Sequence, residues 1–228
     1  MRIHTPLNRE NLRNHLAYNS WMYLLVIIVA IFGWSLIYTT TAYRSPQDKR
    51  IDVYVQSATA SSESIDAFLK HIWESAAPEM ESVQGVSLLP TDDYTTNMQI
   101  TTYIFAGEGD IYFLTEQYFK NLAASGALLP LDEFVESGVI DLTGVDTKKG
   151  YVTVVDEYDE KDQPVRTSQH LFGVPLDSYY GFMNGMLLDN RGMYATILIN
   201  NQNDDNVIPF FNALLQAGKG EKEEWISE

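Results

Sequence analysis

The sequence contains no cysteine. That single absence excludes disulfides, thiolate zinc sites, cysteine nucleophiles and the acylated cysteine on which lipoproteins are anchored. Positive charge is scarce: 15 Lys+Arg stand against 31 Asp+Glu, a formal net charge of -16. A general nucleic-acid binder needs a basic stripe to displace counterions from phosphates, so nucleic acid is excluded as a partner. Hydrolase and phosphate-loop signatures are missing as well, with no G-x-S-x-G, no H-E-x-x-H and no glycine–lysine loop. The histidines do not cluster, because His4 and His15 precede a long apolar run while His71 and His170 follow it. Gly107-x-Gly109 begins like a dinucleotide fingerprint, yet Tyr112 stands where the third glycine belongs and a strand follows instead of a helix. Calcium-loop spacing fails in Asp156–Glu160, where Tyr158 replaces an oxygen ligand. It fails again after Asn201, where Asn206 replaces the glycine and Asn212 the bidentate glutamate. The chain therefore reads as no enzyme, with no metal site and no cofactor.

Charge of either sign is missing between Arg13 and Arg44, and this gap is the first positive signal. Within it, Trp21–Tyr43 supplies the roughly 20 apolar residues that a helix needs to cross a hydrocarbon core of about 30 Å. Trp21 and Tyr23 at one end, and Tyr38 and Tyr43 at the other, suit the two membrane interfaces, where amphipathic rings settle. A cleaved signal peptide is the alternative, but the run exceeds the usual h-region of about 7–15 residues, which favours a retained anchor contacting the lipid bilayer. Three arginines precede the helix, and Arg44, Lys49 and Arg50 follow it, so the distribution of basic residues leaves its orientation open. The acidity lies wholly on one side: residues 44–228 hold 12 basic and 30 acidic side chains.

The chain divides into a short tail (1–20), a transmembrane helix (21–43), a polar spacer (44–50), a domain (51–218) and a charged C-terminal tail (219–228). In the domain, Ile51–Val55 alternates as a strand does. Ile65, Phe68, Leu69, Ile72, Trp73 and Ala76 then form one helical stripe. Val83–Leu89 reads as a second strand. A helix capped by Thr91 follows, with Tyr94, Met98, Thr101 and Phe105 as its inward face. Asp110–Leu114 is a third strand, and Thr115 caps a third helix that Gly126 closes. This β-α-β-α-β-α order predicts an α/β fold with a mainly parallel sheet. Tyr151–Val155 and Val165–Phe172 read as an inserted β-hairpin, Tyr194–Ile199 as a later strand, and about 208–216 as a last helix, with Trp225 a candidate for docking beyond it.

Several strings resemble the first lobe of bacterial extracellular solute-binding proteins, the two-lobed receptors of ABC importers. They are IDVYVQSA, AGEGDIYFLTEQYFKNLAASGALLPLDEFV and FGVPLDSY, within a similarity spanning about residues 51–217. Asp110-Ile111-Tyr112 matches the strand, Gly126 to Asp132 the "G-x-L-x-P-L-D" step, and Phe172-Gly173-Val174-Pro175 the "G-(V/I)-P" step. The resemblance implies a single-lobe, type II periplasmic-binding-protein-like domain. It also implies a single-pass cell-membrane protein with the N-terminus cytoplasmic and the domain extracytoplasmic. In the family, a second lobe of comparable size follows the G-(V/I)-P step. Here only residues 176–193 separate Pro175 from the returning strand, too few to enclose a core of their own.

Two functions from different classes follow. One is a non-enzymatic interaction module serving a membrane-protein partner, such as a transporter. The other is a true receptor that binds a small solute with one lobe or by oligomerising. The expected ligand or partner surface is Ser57, Thr59 and Ser61, Gly107, Glu108 and Gly109, with Thr115 and Glu116. These residues are placed at strand ends where such folds present ligands, although capping and turn chemistry accounts for the same residue types.

Overall fold

The structure is a computed structural model that describes residues 20–41, 43, 45–90, 93–159, 161, 163–200 and 203–220. It forms two separate units divided after Arg44. The expected cap at Thr91 and the docking of Trp225 lie outside the described residues.

The first unit holds α1, Ser20–Thr41, whose 22 residues contain no charged side chain. At about 1.5 Å per residue it is about 33 Å long. Its mean hydropathy of 2.2 makes it long and apolar enough to cross a membrane. None of its residues is buried. At its end the hydroxyls of Thr39 and Thr41 donate to the carbonyls of Ser35 and Ile37, each at 2.7 Å, so neither polar group asks for water. Trp21 and Tyr38 are exposed at the two ends, and Tyr43 is exposed just beyond the helix.

The second unit opens with a 3-10 turn at Gln47–Lys49, inside the expected spacer. A five-stranded sheet follows, built from β1 (Arg50–Gln56), β2 (Ser82–Leu88), β3 (Ile111–Thr115), β6 (Val174–Pro175) and β7 (Met193–Ile197), in the order β2-β1-β3-β7-β6. β1 runs parallel to β2 and to β3. β7 runs antiparallel to β3 and to β6. Four of the five strands thus run the same way, as a mainly parallel sheet requires, and β7 alone, entering between β3 and β6 in the opposite direction, makes the sheet mixed. A separate antiparallel hairpin of β4 (Tyr151–Tyr158) and β5 (Pro164–Leu171) carries a register shift after Val155.

Alternation along β1 divides the core in two. Ile51, Val53 and Val55 point to one face, where α2 (Ser62–Ala76) brings Ile65, Leu69 and Ile72, and α7 (Asp204–Gly218) brings Phe210, Phe211 and Leu214. Each of these large side chains contributes about 1.5–3 kcal/mol by leaving water. α2 lies so close to β2 that a Cβ on Gly85 would come within 2.2 Å of Ile65 Cγ2. Tyr54, Tyr112 and Leu114 point to the other face. There α3 (Asp93–Phe105) supplies Ile100 and α4 (Glu116–Ala124) supplies Tyr118 and Phe119. This side is aromatic: Tyr54 stacks on Tyr112 at 5.0 Å and Phe119 on Tyr194 at 4.3 Å. The hairpin adds Val152 and Val154 to it.

α3 departs from expectation. Tyr94, Met98 and Phe105, read as inward, are 76%, 53% and 88% exposed, and Thr101 is only half-buried. The buried positions are Thr96 and Ile100, with Tyr103 resting on Tyr54 at 4.9 Å. Two stripes compete on this helix, and the one that carries Ile100, with Tyr103 and Ile104 beside it, fits the space left beside the Tyr54–Tyr112 stack.

Seventeen residues, 176–192, join β6 to β7, and they build one short helix, α6 (Tyr180–Met186). Leu176, Tyr179, Phe182, Met186 and Leu188 all enter the first core cluster, so the connection belongs to the same core as the sheet. The buried Asn190 side chain fastens it by donating to the carbonyls of Leu176 and Tyr179.

Candidate functional site

The C-terminal ends of β1 and β3 carry most of the expected surface. Ser57 Oγ accepts from the backbone N–H of Thr59 at 3.0 Å and of Ala60 at 2.9 Å, closing a tight hydroxyl turn. Its Oγ also lies 3.2 Å from the Thr59 hydroxyl, which in turn accepts the N–H of Asp189. Ser61 caps α2, exchanging hydrogen bonds with Ser64 in a reciprocal capping box. Thr115 precedes α4 but makes no side-chain cap. Its N–H and hydroxyl both donate to Oε1 of the buried Gln56, at 3.0 and 3.1 Å, which ties the end of β3 to the end of β1. Glu116 pairs with Lys120 one turn on, and this partner holds its carboxyl below the usual range.

Gly107, Glu108 and Gly109 are not part of that surface. They precede β3 and so lie at the opposite end of the sheet, a correction to their expected grouping with Ser57 and Thr115. Gly109 has φ +83°, and a side chain there would strike the Tyr54 and Tyr112 rings at 2.6–2.8 Å. Glu108 accepts from Arg50 at 3.0 Å, and its carbonyl accepts the Tyr112 hydroxyl at 2.7 Å.

Around Glu108 is a polar cluster that sequence reading missed. Arg50 pairs with Asp52 at 3.1 Å, and Asp110 accepts the N–H of Asp52 at 2.9 Å and the Asn200 amide at 2.7 Å. Asp52 and Asp110 are buried, and loss of water raises both carboxyls, Asp52 to about 6 despite the neighbouring guanidinium. Alternation in Ile51–Val55 could have shown that Asp52 faces inward, but only the fold brings Asp110 beside it. Among the described residues no group of three His, Asp or Glu side chains could hold a metal ion.

The motif strings turn out to be fasteners. Asp132 of the "P-L-D" step accepts the N–H of Leu171 at 3.1 Å and lies 3.3 Å from His170 Nδ1, which pins the start of α5 (Asp132–Glu136) to the end of the hairpin. At Gly173 of the "G-V-P" step a Cβ would lie 2.7 Å from Phe119. A cleft of about 700 Å³ opens beside these elements, lined by Val135, Ile140, Leu142, Val145, Tyr151 and Leu171, with Asp141, Thr143 and Thr147 supplying polar groups. Asp141 accepts the Thr143 N–H at 2.9 Å, and the hydrogen bonds from Thr143 hold its carboxyl low.

No protein-family model matches the chain, and no curated protein matches it. Solved structures that do match are extracellular solute-binding proteins of ABC transporters. An extracellular solute-binding protein family 1 structure from Alicyclobacillus acidocaldarius has 19% identity and a TM-score of 0.39, over 55% of this chain and 27% of that one. An ABC substrate-binding protein from Listeria monocytogenes, in complex with cycloalternan, has 17% identity and a TM-score of 0.35, over 54% of this chain and 28% of that one. A spermidine/putrescine ABC transporter substrate-binding protein from Streptococcus pneumoniae has 13% identity and a TM-score of 0.39, over 74% and 78%. The chain thus spans little more than a quarter of the first two, and likenesses with TM-scores below 0.5 carry no argument about what it binds.

Proposed function

We propose that this chain is a non-enzymatic, membrane-anchored interaction module: one extracytoplasmic α/β lobe, held at the bilayer by α1, that serves a membrane complex such as a transporter. One contrast carries this reading. Ser57 and Ser61 spend their hydroxyls on their own turn and helix cap and Thr59 accepts the N–H of Asp189, whereas α3 leaves Tyr94, Met98 and Phe105 bare. Interfaces are enriched in bare aromatics and methionine and depleted of charge at their centre. Purification of the full chain in mild detergent tests the reading: a stoichiometric protein assembly is expected. Saturable thermal stabilisation by one class of sugar, amino acid, peptide or polyamine would overturn it in favour of a receptor.

Only the volume of the 700 Å³ cleft favours that second reading, since small-molecule sites run to about 300–1,000 Å³, whereas its open and largely polar walls do not resemble the apolar lining usual for such sites. If a solute binds there, Leu142→Trp should fill the space and abolish the stabilisation. Retained stabilisation would remove the cleft from consideration.

A further inference from the structure

The bare stripe on α3 has a spacing of its own. Tyr94, Met98, Thr101 and Phe105 follow intervals of four, three and four residues, and at about 100° per residue they fall within roughly 60° of arc. Intervals of four, three and four read the same in both directions. Two such helices laid antiparallel therefore match without any change of register, each residue of the coiled-coil seam meeting its counterpart.

Charge and area agree with that match. From Tyr94 to Gly107 the sequence has no Asp, Glu, Lys or Arg, although residues 44–228 hold 30 acidic side chains. Two copies can thus approach along the seam of α3 without setting carboxylates face to face within it. Antiparallel pairing also opposes the two helix dipoles, which favours each end. At roughly 150–200 Å² for a large side chain, the bare parts of Tyr94, Met98 and Phe105 total about 400 Å² per copy. A pair would bury about 800 Å² before the threonines are counted, below the roughly 1,000 Å² that a specific interface of free proteins should clear, which is the size of a weak contact. Anchoring both copies in one bilayer raises their effective concentration and lowers the affinity that is needed. A helix lying on the lipid itself would carry Lys or Arg on its polar face, and α3 has neither.

We infer that α3 is a self-association helix. Two anchored copies pair it antiparallel about a two-fold axis, Tyr94 against the partner's Phe105 and Met98 against the partner's Thr101. The inference rests on the interaction-module reading and names the partner as a second copy of this chain.

Since the chain has no cysteine, introduced thiols are the only ones present. Full-length Tyr94→Cys and Phe105→Cys chains, carrying different tags, are reconstituted in the same proteoliposomes and mildly oxidised. The expected product is the mixed disulfide, well above the level given by Lys120→Cys on the exposed face of α4. Adding Met98→Glu, which sets two carboxylates in the seam, should lower the cross-linked fraction about tenfold while the melting temperature stays unchanged. The inference is overturned if the mixed disulfide does not exceed the control, or if Tyr94→Cys couples chiefly to itself, as a parallel pair would. It is equally overturned if the thiols cross-link to a different protein, or are shielded by lipid without forming disulfides. Solute stabilisation with the mixed disulfide intact would overturn the interaction-module reading and leave the pairing standing. A co-purifying foreign protein without the mixed disulfide would do the reverse.

Discussion

α2 and α3 each follow a strand of the same parallel trio and lie on opposite faces of the sheet, yet they use their large side chains in opposite ways. α2 buries Ile65 and Leu69 completely, while α3 buries Ile100 and displays Tyr94 and Phe105. Apolar content does not separate them. α2 has one apolar stripe with charges elsewhere, so only one rotation about its axis buries it. α3 has no charged residue after Asp93, and polar threonines serve on either side, so packing against Tyr54 and Tyr112 decides which stripe turns inward.

The contrast can be broken most forcefully on the α2 side. Leu69→Ala should cost about 3–5 kcal/mol, because the closely packed face cannot collapse into the void. Chemical denaturation reads this directly, and a loss below about 1 kcal/mol would mean that the two faces are equally slack. On the α3 side of β1, the buried Asp52 makes stability depend on pH. Its carboxyl is raised to about 6 in the fold from an ordinary value of 3.8, so the fold binds a proton that the unfolded chain releases. Stability should therefore fall as pH rises from about 4 to 6, by on the order of 3 kcal/mol from this group, with Asp110 acting in the same direction. Asp52→Asn should narrow the difference in urea midpoint between pH 4.5 and pH 7, and an unchanged difference would remove Asp52 as the cause.

Smaller effects are expected within α3 itself. Ile100→Ala should cost about 2 kcal/mol, at the low end for a buried aliphatic, since this helix meets the sheet through few large side chains. Phe105→Ser should change stability by less than about 0.5 kcal/mol, as an exposed substitution does. A larger loss in the melting curve would show that Phe105 is covered within its own chain.

The sequence made the elements legible where one signal dominated. The charge-free run gave α1, alternation gave β1, the single stripe gave α2, and Gly126, at φ +74°, gave the close of α4. Polar residues were legible as types but not as partners. Serine and threonine at 57–61 suit a ligand loop and a helix cap equally well, and only the fold shows that Ser61 and Ser64 form a capping box. Gly107–Gly109 reads correctly as the turn before a strand, but β1 and β3 are parallel, so a turn that precedes β3 lies at the opposite end of the sheet from the loop that follows β1. The Arg50–Asp52–Asp110–Asn200 cluster is invisible in the sequence for a plainer reason: its members come from three distant segments that meet at one end of the sheet.

Arg50 is also where the segment that follows α1 enters the α/β fold. Its guanidinium grips Asp52 and Glu108, its carbonyl is held by the Asn203 amide at 2.8 Å, and β1 is matched to β2 at every position from Arg50 to Gln56. A pull on that segment along β1 would strain those rungs together in shear instead of opening them one at a time. The α/β unit is thus fastened at its point of entry by a full-length strand pairing and three polar grips, so a load arriving through the preceding segment is shared among them instead of unravelling the unit from its end.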